Sequence, residues 1–297
     1  MRLILVFLTI LSLNASAQVR PFQTTRLVST SGAGVGSVLV NESAILNPAS
    51  LAFFSGTYVS YQNTRSELRS ENPQREVQGQ SFSRSNRNEG YFIFDNSTPV
   101  KGGFSYQYQN ENGIQRRRTT ATLAAALGTS LTAGLLYKYT EDTGPIGSTK
   151  RHRVAHPLTL GLTWIAMPKL TLGVIWSDPG QAVPGESEAV LGSQFSITER
   201  LIVMFDAGSD PTRRYSDTMA WKGAVQYNPL GDLFLRLSRF SDKAQNLEGE
   251  AWGVSWTGPK LGLDFAVKTS HQLEDKSSFL FRREKMNEYS FAANLRF

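Results

Sequence analysis

From about residue 57 to the C-terminus, apolar and polar positions alternate with period two, segment after segment. Leu158, Leu160, Leu162 and Trp164 share one face, against Thr159, Gly161 and Thr163. Leu170, Leu172, Val174 and Trp176 stand against Thr171 and Gly173, and Leu261, Leu263, Phe265 and Val267 against Gly262, Asp264, Ala266 and Lys268. One face of each segment suits lipid and the other a small, polar interior. The pattern predicts strands near 57–65, 89–95, 102–111, 118–128, 131–141, 153–166, 170–177, 187–198, 201–208, 217–228, 233–241, 248–257, 261–270 and 286–297. That is an even number of about fourteen, as bacterial transmembrane barrels require. An open edge in hydrocarbon would leave backbone groups unpaired, so the sheet is expected to close. A soluble β-sandwich is the alternative; the number of similar strands and their outward aromatics argue against it.

Connections alternate too. Gly128–Ser130, Met167–Lys169, Thr198–Arg200, Asn228–Asp232 and Gly258–Lys260 read as tight turns. Between them fall longer polar stretches at 66–88, 111–117, 142–152, 178–186, 209–216, 242–247 and 271–285. Short turns at the inner mouth and long loops at the outer one are the barrel arrangement.

Two segments break the alternation. Residues 1–17 carry Arg2, the apolar run Leu3–Leu13 and the small-residue end Ala15-Ser16-Ala17, the three parts of a secretory signal peptide. The second, Gly32–Phe54, is rich in small residues and kinked by Asn47-Pro48. Its Gly32, Gly34 and Gly36 do not mark a nucleotide site, because no strand precedes them and no long helix follows. The expected organisation is a signal peptide (1–17), a plug segment (18–56) and a transmembrane barrel (57–297).

Gly34-Val35-Gly36, followed by Asn41-Glu-Ser-Ala-Ile-Leu-Asn47-Pro48-Ala49-Ser-Leu51-Ala52-Phe53, resembles the N-terminal signature of FadL-type outer-membrane transporters, shared by related PorV-type barrels. Here the spacer from Ala44 to Asn47 is one residue shorter, and Ser50 stands where glycine is common. The chain is also much shorter than the fatty-acid transporters. The resemblance implies a fourteen-stranded barrel with the N-terminal segment inside it as a plug, and speaks to architecture more than to substrate. On that reading Gly32, Gly34, Gly36, Asn47, Pro48, Ala49, Phe53 and Phe54 form the plug and its gate. Segment 32–54 could instead be a periplasmic strap or an extra strand. An independent argument favours the lumen: fourteen strands enclose more volume than their own side chains fill, and many inward residues are small.

Composition changes the picture in a few places. The chain has 297 residues and no cysteine, which removes thiolate metal sites, disulfides and cysteine nucleophiles. A net charge of +6 could suggest nucleic acid, but export argues against it. Lys138, Asp206, Lys222, Arg236, Asp264, Lys268, Glu288 and Arg296 fall on inward faces. They form either a salt-bridged filling or a polar path with a head-group site. Arg116, Arg117, Arg118, Arg213, Arg214, Arg282 and Arg283 lie at or near predicted outer loops, where a basic collar would meet lipopolysaccharide phosphates. His152 and His156 stand too far apart on a strand to share a metal, so no metal or other cofactor is expected. No motif brings a serine and a histidine together, so no enzyme is expected.

The expected function is passive outer-membrane transport of small hydrophobic compounds in a Gram-negative-type bacterium. The rival is a non-conducting scaffold for a secretion machine, as PorV-type proteins are. Expected partners are outer-membrane lipid, lipopolysaccharide, a hydrophobic ligand, and the barrel-assembly machinery, to which the terminal strand ending in Phe297 would present itself.

Overall fold

The computed structural model describes residues 19–38, 41–54, 56–70, 84–95, 98–111, 113–146, 149–272 and 284–297. Residues 1–17, read as a signal peptide, lie outside the described residues.

Fifteen strands form one sheet: β1 (Thr57–Ser70), β2 (Arg84–Asp95), β3 (Val100–Glu111), β4 (Ile114–Ala126), β5 (Leu131–Ile146), β6 (Thr149–Ala155), β7 (Leu158–Met167), β8 (Leu170–Ser177), β9 (Glu188–Ser196), β10 (Leu201–Ser209), β11 (Ala220–Tyr227), β12 (Leu233–Asp242), β13 (Leu247–Thr257), β14 (Leu261–Gln272) and β15 (Glu284–Arg296). Successive strands pair antiparallel, except that β6 and β7 both pair with β5, and β1 pairs β15 from Tyr58–Arg296 to Ser70–Glu284, closing the ring. The ring has fourteen positions, because β6 and β7 lie end to end along β5. The interruption falls at His156-Pro157, inside the single strand expected at 153–166. Proline has no N–H to give a ladder. The Pro157 carbonyl still accepts from Lys138 N at 3.0 Å, which keeps β5 in register across the break.

Polarity is inverted relative to a soluble domain. Leu160, Trp164 and Phe291 are each nearly half exposed, whereas Thr132, Thr159, Thr163, Gln62 and Gln107 are buried. A protein with polar groups at its centre and a continuous apolar exterior is built for lipid outside. Exceptions mark where something apolar fills the lumen. Phe92, Phe94 and Leu136 point inward and are buried. The run Tyr91-Phe92-Ile93-Phe94 is apolar on both faces, so sequence gives no sign of which face needs a partner.

Strands overrun their predicted ends on the outer side. β5 has 16 residues, against the roughly 9–11 that cross a bilayer, so the wall projects past the hydrocarbon. The stretch 111–117, expected as a loop, is a tight hairpin between Glu111 and Ile114, with Gly113 at φ 82°. That change turns Ile114 and Arg116, expected in a loop, into lumen residues.

Candidate functional site

Residues 19–38 and 41–54 run inside the barrel. Their first element is one turn of helix, Thr25–Ser29, which the sequence reading did not anticipate. Thr24 caps it, its hydroxyl accepting from Leu27 N at 3.1 Å. Two 3-10 turns follow, Asn41–Ala44 and Pro48–Phe53. The chain breaks at Asn47-Pro48, where Pro48 opens the second turn and the Asn47 side chain accepts from Ala49 N at 3.1 Å. Leu51, Ala44 and Phe22 pack on Phe92 and Phe94, while Val35 and Leu46 pack on Ile175 and Val190.

On one side the wall is made of glycine. At Gly134, Gly161, Gly173 and Gly192 an added Cβ would come within 3.0 Å of plug atoms: Pro48 and Ala49 at Gly134, Asn47 and Pro48 at Gly161, Val35 and Gly36 at the other two. Gly36 has the converse constraint, since a Cβ there would meet the Gly192 carbonyl and Ser193 backbone. Gly32, at φ 85°, makes the turn that brings this stretch to the wall.

Hydrogen bonds fix the same contact. Asp206 Oδ2 accepts from Gly34 N at 2.8 Å and Val35 N at 2.9 Å. Two adjacent backbone donors on one carboxylate oxygen form a charge-assisted clasp. Asn47 Nδ2 donates to the Val35 carbonyl at 2.7 Å and to Thr163 Oγ1 at 2.9 Å, tying two parts of the plug to each other and to β7. Thr132 Oγ1 donates to the Ala49 carbonyl at 2.9 Å.

The opposite wall is amide and charge. Gln62 accepts from Thr25 N at 3.1 Å and donates to the Gln23 carbonyl at 2.9 Å. Gln109 donates to the Arg20 carbonyl, and Arg20 pairs with Glu111 and, at 3.3 Å, with Glu288. Arg20, Gln62, Gln109 and Thr24 were all missed by sequence reading, and no local pattern singles them out.

A cavity of about 140 Å³ lies against the plug. Its border joins plug residues Phe22, Leu27, Ile45 and Leu46 to Lys138, Lys222 and Lys268 of the wall. The connection from β8 to β9 folds inward over this space, burying Val183 and Glu186. Glu186 Oε1 accepts from Arg116 at 2.6 Å and Arg118 at 2.7 Å. Burial favours a neutral Glu186, but Arg118 and Arg116 outweigh it and hold the carboxyl down to about 2.

Of the eight expected plug positions, Gly34, Gly36, Asn47, Pro48 and Ala49 meet the glycine wall or its hydrogen bonds, and Gly32 sets the turn that brings them there. Phe53 and Phe54 end the segment half-buried. Among the expected lumen charges, Lys138, Asp206, Arg236, Lys268 and Glu288 are buried, and Lys222 and Asp264 nearly so. They do not form one path. Asp206 serves the plug, Lys268 lies 3.7 Å from Glu288, and Arg236 bonds Gln226 and Ser255. Arg296 is corrected: it lies at the inner rim, exposed, its guanidinium over the Tyr58 ring. Arg116 and Arg118 are corrected as well. They sit on a strand, so alternation turns them into the lumen and only Arg117 outward. Arg213 and Arg214 are exposed on the outer loop, and Arg282 and Arg283 lie outside the described residues.

By sequence, no family model and no curated protein matches this chain. By structure, it is similar to a FadL homologue of Pseudomonas aeruginosa, with a TM-score of 0.70 at 14% identity over 95% of this chain and 100% of that one. It is similar to the CymD monoaromatic hydrocarbon channel, TM-score 0.70 at 12% identity over 92% and 97% of the two chains. The Pseudomonas putida toluene transporter TodX gives 0.65 at 11% identity over 95% and 99%. None of the three is a PorV-type scaffold. These likenesses carry the fold, and fold and site together define a transmembrane β-barrel whose lumen holds its own N-terminal segment.

Proposed function

We propose that this protein is a passive channel for small hydrophobic compounds in the outer membrane of a Gram-negative-type bacterium. The observation that supports this most is the cavity of about 140 Å³ between a polar wall and the apolar side of the plug. A solute from outside would rest there and pass inward when the plug shifts. The plug is suited to such a shift on its polar side, where Gln62 and Gln109 hold residues 20–25 by side-chain hydrogen bonds, while the close-packed glycine wall sets its limit. The similar structures include a monoaromatic hydrocarbon channel and a toluene transporter, which supports a substrate of that size and polarity. No catalytic role is proposed. Outer-membrane lipid, lipopolysaccharide at Arg213 and Arg214, and the barrel-assembly machinery complete the proposed partners.

The test is flux. Proteoliposomes carrying the purified protein should admit toluene-sized solutes faster than empty vesicles. Deleting residues 32–54 should raise single-channel conductance in planar bilayers while the barrel stays heat-modifiable on gels. Solute uptake equal to that of empty vesicles would overturn the proposal.

A further inference from the structure

Three of the buried or nearly buried cations bordering the outer cavity are already met by acids of the chain. Arg118 binds Glu186 at 2.7 Å, Lys222 lies 3.7 Å from Glu188, and Lys268 lies 3.7 Å from Glu288. Lys138 differs. It is only 7% exposed, borders the cavity, and among the described residues no hydrogen bond or ion pair reaches its ammonium. Glu186, which borders the same cavity, gives its direct contacts to Arg116 and Arg118 and reaches Lys138 only as a longer-range attraction. The ammonium therefore borders the cavity with no acid in direct contact, and a ligand carboxylate entering there gains a charge-assisted hydrogen bond.

The rest of the border limits what that ligand can be. Leu46, Ile45, Ile175 and Phe22 give the cavity an apolar side. Its volume of about 140 Å³ is close to the roughly 150 Å³ that holds a benzene ring, far short of a long acyl chain. Glu186, Glu188 and Asp242 also border it, so a second negative charge would meet carboxylates.

The geometry points to a binding site for a small organic monocarboxylate, with a body the size of one ring or a short branched chain and its carboxylate on Lys138 Nζ. This rests on the channel reading, because the cavity lies on the proposed route. It deepens that reading by giving the route a charge preference. A neutral hydrocarbon would fill the apolar side and leave Lys138 unpaired. Lys222 and Lys268 would add long-range attraction only, since each already faces its own acid.

Benzoate and benzamide have nearly the same shape and differ in charge, which makes them the probes. Titration calorimetry on the purified full chain should show benzoate binding roughly tenfold tighter than benzamide. Lys138→Met should bring benzoate to the benzamide level, and Lys138→Arg should keep the preference. Equal binding of the two probes by the wild-type chain overturns the site, and this comparison needs no variant to fold. A preference that survives Lys138→Met overturns it too. Uptake of benzyl alcohol into proteoliposomes separates this result from the channel reading. If benzoate binds but benzyl alcohol is not taken up, the channel falls and the site stands. If benzyl alcohol is taken up and benzoate gains nothing over benzamide, the site falls and the channel stands.

Discussion

The two sides of the lumen hold the same segment by opposite means. On β5, β7, β8 and β9 the wall has had its side chains removed, and the plug backbone occupies the space at Gly134, Gly161, Gly173 and Gly192. On β1, β3, β14 and β15 the wall reaches out with long polar side chains, Gln62, Gln109, Lys268 and Glu288, to meet the segment from Arg20 to Thr25. The first contact is fixed by shape and has no slack. The second is a set of side-chain hydrogen bonds, which can break and re-form by rotamer changes without displacing backbone. A plug held this way has a defined resting place on one side and a compliant one on the other, so movement should begin at the polar wall and be limited by the glycine wall.

The comparison breaks most sharply at Gly173. Gly173→Val places a side chain where the Val35 carbonyl lies, and overpacking of this kind costs about 1–3 kcal/mol or more. Hydrogen exchange at residues 33–36 should lose its protection while the barrel keeps its heat-modifiable migration. Next is the clasp. Asp206→Ala leaves the Gly34 and Val35 N–H groups buried without their acceptor, about 1–3 kcal/mol for each such group. Loss of protection should be confined to that turn, and Asp206→Asn, which retains an oxygen, should lose less. The polar wall should respond more mildly. Gln62→Leu removes two hydrogen bonds from Thr25 and Gln23 at a net cost near 1 kcal/mol, read as faster exchange at Thr25 alone.

Smaller still is the pH response of the inward-folded connection 178–187. An ordinary glutamate takes up its proton near 4.5, whereas Glu186 in the folded chain holds out to about 2. Its ion pairs therefore contribute fully above about 4.5 and are lost as the pH falls towards 2. Limited proteolysis within 178–187 should rise across that window in the wild type, and Glu186→Gln should show the high cleavage at neutral pH as well. Least of all, Arg213→Gln with Arg214→Gln should change stability by no more than about 0.5 kcal/mol. Its effect should appear only as reduced lipopolysaccharide co-purification.

How much of this was legible beforehand follows from what each part answers to. The barrel answers to the bilayer, which imposes one apolar face on every strand, so Leu158–Trp164 and Leu170–Trp176 declared themselves. The small inward residues were legible as a class, because Gly134, Gly161 and Gly173 leave a volume that something must fill. Which plug atom enters at which glycine was not, since that depends on how residues 30–50 fold back. Arg116 and Arg118 misled through their company. Three consecutive arginines look like a solvated loop, yet on a strand the first and third share a face, and here that face is the lumen. Glu186 lay in a loop that sequence places outside, and only its two arginine partners explain why it turns in.

A reversible lock tests most directly whether movement of residues 19–54 opens the lumen. Ser31 Oγ of the plug and Ser238 Oγ of β12 lie 2.8 Å apart, and the chain has no cysteine of its own. Ser31→Cys with Ser238→Cys should therefore form one disulfide on oxidation, pinning the plug to the wall. Solute uptake by proteoliposomes should fall to the level of empty vesicles when the pair is oxidised and return when it is reduced. Uptake that continues unchanged through the oxidised protein would contradict a lumen opened by its plug.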